Sequence, residues 1–179
     1  MDHCFVEFEP KDELSLRRLA DFLELIRAAK QSEEAADEPA LAKYLSDVER
    51  SYFWNPTPEE MKEWADEWFS TPVAFRHSPQ MPMPQWTLDS MIQAFWDGDY
   101  ELLGVVEEEA RHLVAFNPHG YPYGGTGALI AVVECFGHTV LGVEDGTGYA
   151  AYESRTNHWK PKAQRSRRHW LARLFRDTD

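Results

Sequence analysis

Residues 100–116 read YELLGVVEEEARHLVAF, and here the spacing of apolar residues changes from helical to alternating. Residues 100–107 and 110–116 each read as a β-strand, joined near Glu107-Glu108-Glu109. Three glutamates make a poor tight turn, because none takes a positive φ readily. Downstream, residues 118–127 form a loop rich in glycine and tyrosine. Residues 128–136 are almost continuously apolar, a pattern that suits buried helix and buried strand alike. Thr126 before this stretch and Gly137 after it favour a helix. Residues 139–144 and 149–153 then read as a hairpin around Asp145-Gly146-Thr147-Gly148.

Upstream of residue 100 the helical period dominates. Residues 3–9 alternate as a short strand closed by Pro10, and residues 12–30 place Leu16, Leu19, Phe22, Leu23 and Ile26 on one helical stripe. A second stripe runs from Leu41 through Tyr44, Leu45 and Val48 to Tyr52. Thr57-Pro58-Glu59-Glu60 is a capping box with proline in the first turn, ahead of Met61, Trp64, Ala65, Trp68 and Phe69. Four prolines between residues 71 and 86 argue against regular helix and for an ordered loop. Thr87 caps a further helix that ends at Asp97-Gly98.

Together these patterns predict an α+β fold, a helical N-terminal half packed on a small, mainly antiparallel sheet that strand 3–9 joins. A single acidic domain is expected over residues 1–157, helix-rich at 10–98 and sheet-rich at 99–154. Residues 158–179 are expected to form a basic C-terminal helical tail. In it, Trp170, Leu171, Leu174 and Phe175 share a stripe flanked by Arg165, Arg168, Arg173 and Arg176.

The charge divides along the same boundary. The 179-residue chain carries −13, but residues 155–179 hold eight basic side chains against Asp177 and Asp179, so residues 1–154 carry −19. Such a body repels nucleic acid and anionic membranes and attracts a basic protein. The tail has an acidic partner at hand in its own body, within the chain or in a second copy through residues 160–176. No apolar run approaches the ~20 residues of a membrane span. The first residues do not read as a secretory signal, and the two cysteines read as reduced, buried thiols, which places the expected location in the cytoplasm.

Catalytic patterns are weak. Cys135 with His138 lies in an apolar run that raises a thiol pKa. Asp145-Gly146-Thr147-Gly148 lacks both the Asp-Thr-Gly order and the second carboxylate of an aspartic protease. The seven histidines show no metal-binding spacing, so neither metal nor cofactor is expected. Tyr121-Pro122-Tyr123-Gly124-Gly125-Thr126-Gly127 differs from both the dinucleotide fingerprint and the P-loop. Its glycines suit either a sharp entry into a packed helix or amides turned toward a small anion. Tyr121, Tyr123, Glu144, Asp145 and Trp86 are the candidate binding residues, and no catalytic residue is assigned. The leading expectation is a non-catalytic acidic protein-binding module of the bacterial immunity or inhibitor type, directed at a basic partner. The alternatives are a small-ligand protein or enzyme with its site at residues 121–127, and a structural subunit that assembles through its tail.

Overall fold

The computed structural model describes residues 3–32, 38–76, 78, 80–154 and 158–162, with 38–40 in backbone only. The described elements begin with β1 (Cys4–Glu9), α1 (Glu13–Ser32), α2 (Glu38–Tyr44), α3 (Asp47–Arg50), α4 (Pro58–Ser70) and α5 (Val73–Arg76). They continue with α6 (Leu88–Asp97), β2 (Tyr100–Glu108), β3 (Arg111–Pro118), α7 (Gly127–Cys135), β4 (Thr139–Glu144) and β5 (Tyr149–Ala151). The class is α+β. The five strands form one antiparallel sheet in the order β2-β3-β1-β4-β5. The C-terminal helix expected from the sequence falls almost wholly outside the described residues.

The described residues fall into two compact units, one within 1–53 and 86–154, the other within 54–85 and 158–162. In the first, strand alternation places Cys4, Val6 and Phe8 of β1, Val114 and Phe116 of β3, and Val140 of β4 on one side of the sheet. Against that side pack Leu19, Phe22, Leu23 and Ile26 of α1, Met91, Ile92 and Phe95 of α6, and nearly all of α7. Burial of this continuous apolar layer is the main stabilising term. One ion pair crosses its rim. Arg18 grips Glu49 with Nε–Oε1 at 2.8 Å and Nη2–Oε2 at 2.7 Å, while its guanidinium lies 4.9 Å from the Tyr44 ring centre.

Local chemistry explains where the elements depart from the sequence expectations. The stripe at residues 41–52 is two short helices, not one. The Ser46 hydroxyl accepts the Glu49 N–H, and the Glu49 carboxylate accepts the Ser46 N–H, which starts a new helix at that point. Among the prolines, α5 does form, because Pro72 precedes its first turn, where no amide is needed. Thr126 makes no side-chain cap, so α7 starts from the glycine loop alone.

The β2–β3 turn closes after all on non-glycine residues, with Glu109 at φ 51° and Ala110 at φ 64°. Such conformations cost on the order of 1 kcal/mol each for an L-residue with a side chain. Glu109→Asn combined with Ala110→Gly is therefore expected to stabilise the chain by about 1–2 kcal/mol. Urea titration checks this through a higher midpoint at unchanged slope, and an equal or lower midpoint contradicts it.

The second unit is organised around tryptophan. The Trp159 ring lies 5.6 Å from both Trp54 and Trp64, and its Nε1–H donates to Glu67 Oε2 at 2.9 Å. Trp159 is only 5% exposed, so it is an anchor of this unit. The capping box at Thr57 and Glu60 forms as read from the sequence. Among the described residues no helix is long and apolar enough to cross a membrane.

Candidate functional site

Within the first unit the described helices pack on one side of the sheet, leaving the other side free of helix among the described residues of that unit. On that second side the alternation places Phe5 and Glu7 of β1, Arg111, Leu113, Ala115 and Asn117 of β3, and Tyr149 of β5. Phe5, Leu113 and Ala115 are buried yet stand apart from the main core, and so form the floor of this face. A groove of about 820 Å³ opens above it, bordered by His3, Phe5, Arg111, Asn117, Glu144 and Tyr149.

Its lining is aromatic at Phe5 and Tyr149, with Arg111 and Glu144 as its charged residues. The Arg111 guanidinium sits 5.7 Å from the Phe5 ring centre, and the Tyr149 ring lies 6.3 Å from Phe5 on another side. Tyr149 also folds across Gly142, where any side chain would collide with the phenol. Burial, together with the hydrogen bond to Glu7 and its charge, pushes the Tyr149 phenol pKa up, so the ring stays neutral. Glu101 and Glu108 of β2 and Glu144 of β4 face the same side as Glu7. Asn117 donates to Glu101 at 3.3 Å, and His3 Nε2 lies 3.4 Å from Glu108. Arg111, beside Glu109 at 3.8 Å, is the basic counterweight to these carboxylates.

Of the residues singled out from the sequence, Tyr121, Glu144 and Asp145 gather beside this groove. The Tyr121 hydroxyl donates to the Asp145 carbonyl, and the Tyr121 ring meets the Tyr123 ring edge-on at 5.2 Å. The two tyrosines divide the work. Tyr121 is 61% exposed, whereas Tyr123 is 4% exposed and packs on Tyr100 and Phe116 in the core. Glu144 accepts the Gly146 and Gly148 amides at 2.9 and 3.1 Å, which closes the β4–β5 turn, and it also borders the groove. Asp145 Oδ1 accepts both the hydroxyl and the amide of Thr147, and these bonds hold its carboxyl below the usual range. Trp86 lies apart from that group, packed over Gly127, where a Cβ would come within 3.0 Å of the indole.

The glycines of residues 124–127 serve the backbone. Gly124 and Gly125 take φ of +97° and +78°, and a Cβ on Gly124 would lie 3.3 Å from the Gly98 Cα. A smaller recess of about 230 Å³ near the start of α7 includes Thr126, Asp145 and Thr147. Because Asp145 stays ionised there, the recess disfavours an anion.

Nucleophilic chemistry finds little support in these surroundings. Burial pushes the Cys135 thiol up to about 12, and burial with the charges of Glu144 and Asp145 raises that of Cys4. His138 Nδ1 accepts the Lys11 amide at 3.0 Å, and burial lowers its pKa, so it is a neutral structural imidazole. Among the described residues no group of three or more His, Cys, Asp or Glu side chains could hold a metal ion.

Sequence reasoning passed over His3, Phe5, Arg111, Asn117 and Tyr149. The usable signal was parity. Phe5 and Glu7 alternate with Cys4, Val6 and Phe8, and the same two-sided pattern recurs in residues 111–117. Compared with known proteins, the chain matches no family model, no curated protein and no solved structure.

Proposed function

We propose that the chain is a non-catalytic protein-binding module of the bacterial immunity or inhibitor type, working in the cytoplasm and docking a basic protein on its helix-free sheet face. The observation that carries this reading is the open groove lined by Phe5, Tyr149, Arg111 and Glu144, on a sheet face that also carries Glu7, Glu101 and Glu108. Aromatic anchors at the centre and charges at the rim are the composition of a protein-binding hot spot. The groove is wide and open, unlike the enclosed pocket that buries most of a small ligand. The −19 of residues 1–154 adds long-range attraction for a cationic surface.

The test is calorimetric and stopped-flow titration with a panel of basic proteins, the product of an adjacent reading frame among them, at increasing salt. Association is expected to weaken steeply with salt. Glu7→Lys with Glu101→Lys should weaken it at least tenfold, mainly through the association rate. Absence of binding, or binding indifferent to salt and to the double variant, overturns the proposal.

A further inference from the structure

The sheet has two outer edges, and they are built differently. Strand β2 ends one side, with Glu101, Glu107 and Glu108 along it and a register shift between Leu102 and Gly104. Charged side chains and an irregular backbone are the usual means of keeping another strand from adding to an edge. Strand β5 ends the other side as Tyr149-Ala150-Ala151, with neither charge nor register shift. All three residues are exposed, Tyr149 by 52%. They stand opposite Glu144, Val143 and Gly142, and just beyond them the Tyr152 amide donates to the Leu141 carbonyl at 2.9 Å. Alternation along an antiparallel ladder then turns the amides and carbonyls of Tyr149 and Ala151 away from β4. Among the described residues no further strand pairs with this edge.

This edge runs between the two cavities of the first unit. Tyr149 borders the groove on the helix-free face. Ala150 shares the opposite face with Val143, and both border the recess of about 230 Å³ near the start of α7, together with Thr126 and Ile130. A strand laid along β5 sends successive side chains to opposite faces, so one set meets the groove and the other the recess. The two alanines leave room for its backbone, and Glu144 and the Tyr121 hydroxyl already fix the turn that leads into β5. The charge around the edge has one sign. Residues 139–154 hold Glu144, Asp145 and Glu153 and no lysine or arginine. A second copy on this edge would set carboxylates against carboxylates, whereas a basic strand neutralises them.

We infer that β5 is the edge to which a basic protein adds an extended segment as a further strand, with basic side chains turned toward Glu7 and Glu144 and small apolar ones toward Ile130 and Val143 in the recess. The inference rests on the proposed function, and it names the part of the partner that enters the site and the bonds that hold it. Backbone pairing with Tyr149 and Ala151 forms the ladder, while the cavities on either face select the side chains. With only three residues in β5, the ladder is short and the cavities carry the specificity.

The probe is whichever basic protein of the titrated panel binds the unaltered chain. Ala151→Pro removes an outward amide while keeping the charge and the pairing of β5 with β4. It should weaken binding at least tenfold, through faster dissociation and with the salt dependence unchanged. Ala151→Val keeps the amide and should bind within about twofold of the parent. In the complex of the unaltered chain, hydrogen exchange at the Tyr149 and Ala151 amides should slow at least tenfold, a readout that needs no variant to fold. Fast exchange at both amides in the complex, or full-strength binding by a folded Ala151→Pro chain, overturns the strand docking. If Glu7→Lys with Glu101→Lys still weakens that binding, the acidic-face reading stands without it. If no protein of the panel binds, both fall.

Discussion

Replacing Glu49 by alanine is expected to destabilise the chain by about 3 kcal/mol at neutral pH. Glu49 is 8% exposed, and its carboxylate receives both Nε and Nη2 of Arg18. Removing it strands a guanidinium whose other recorded acceptor is the Tyr44 carbonyl, at 2.9 Å. It also removes the acceptor of the Ser46 amide, the bond that starts α3. The effect carries a pH signature. Burial pushes the Glu49 carboxyl up, but the bonds from Arg18 and Ser46 outweigh it and hold the group below its ordinary value of 4.5. A carboxyl depressed on folding contributes stability that is fully present above the unfolded value and lost as pH falls through the folded one. The gap between the parent and Glu49→Ala should therefore be widest near pH 7 and shrink steadily below pH 4.5. Urea titrations at neutral and acid pH measure this directly, and a gap constant with pH would refute the ionic explanation.

Phe116→Ala should cost still more, about 4 kcal/mol. The ring is fully buried on β3, with Cys4 and Leu102 opposite it on the neighbouring strands and the Tyr100 and Tyr123 rings at 5.5 and 5.6 Å. The loss is one of contact and volume, so Phe116→Leu should recover most of it. A second consequence reaches the surface. Tyr123 rests on Phe116, Tyr121 rests on Tyr123, and Tyr121 holds the Asp145 carbonyl at the β4–β5 turn beside the groove. Truncating Phe116 should therefore broaden the tyrosine and turn resonances as well as lower the melting temperature. If NMR finds the Tyr121 and Gly146 signals undisturbed in the folded variant, the loop is held by something other than this ring stack.

Much of the fold was legible because it rests on local signals. The switch of period at Tyr100, the caps at Thr57 and Thr87, and the turn at residues 145–148 each rely on a few neighbouring residues, and each appears where the sequence put it. The break at Ser46 was also written locally, as Ser46-Asp47-Val48-Glu49, but the apolar stripe running through it concealed the capping box. The Glu109-Ala110 turn was not legible, since strand pairing imposes left-handed backbone on residues that disfavour it.

The candidate site divides in the same way. Tyr121 belongs to the 121–127 loop and Glu144 and Asp145 to the 145–148 turn, two recognisable motifs that the fold brings together. The groove instead joins His3 and Phe5 to Arg111, Asn117 and Tyr149, residues that only strand order brings side by side. Local spacing does not encode that order.

The central place of β1 has a bearing on how the chain is made. Phe5 pairs with Ala115 on one side and Glu144 on the other, so the middle strand is synthesised long before either neighbour exists. At ordinary translation rates of about 5–20 residues per second, β1 waits on the order of ten seconds with its backbone unpaired. During that interval Cys4-Phe5-Val6 is an exposed, sheet-forming segment, and α1 is the first described element able to shield it. The nascent chain is therefore most vulnerable to aggregation before β3 emerges, and a chaperone that protects it would act on β1.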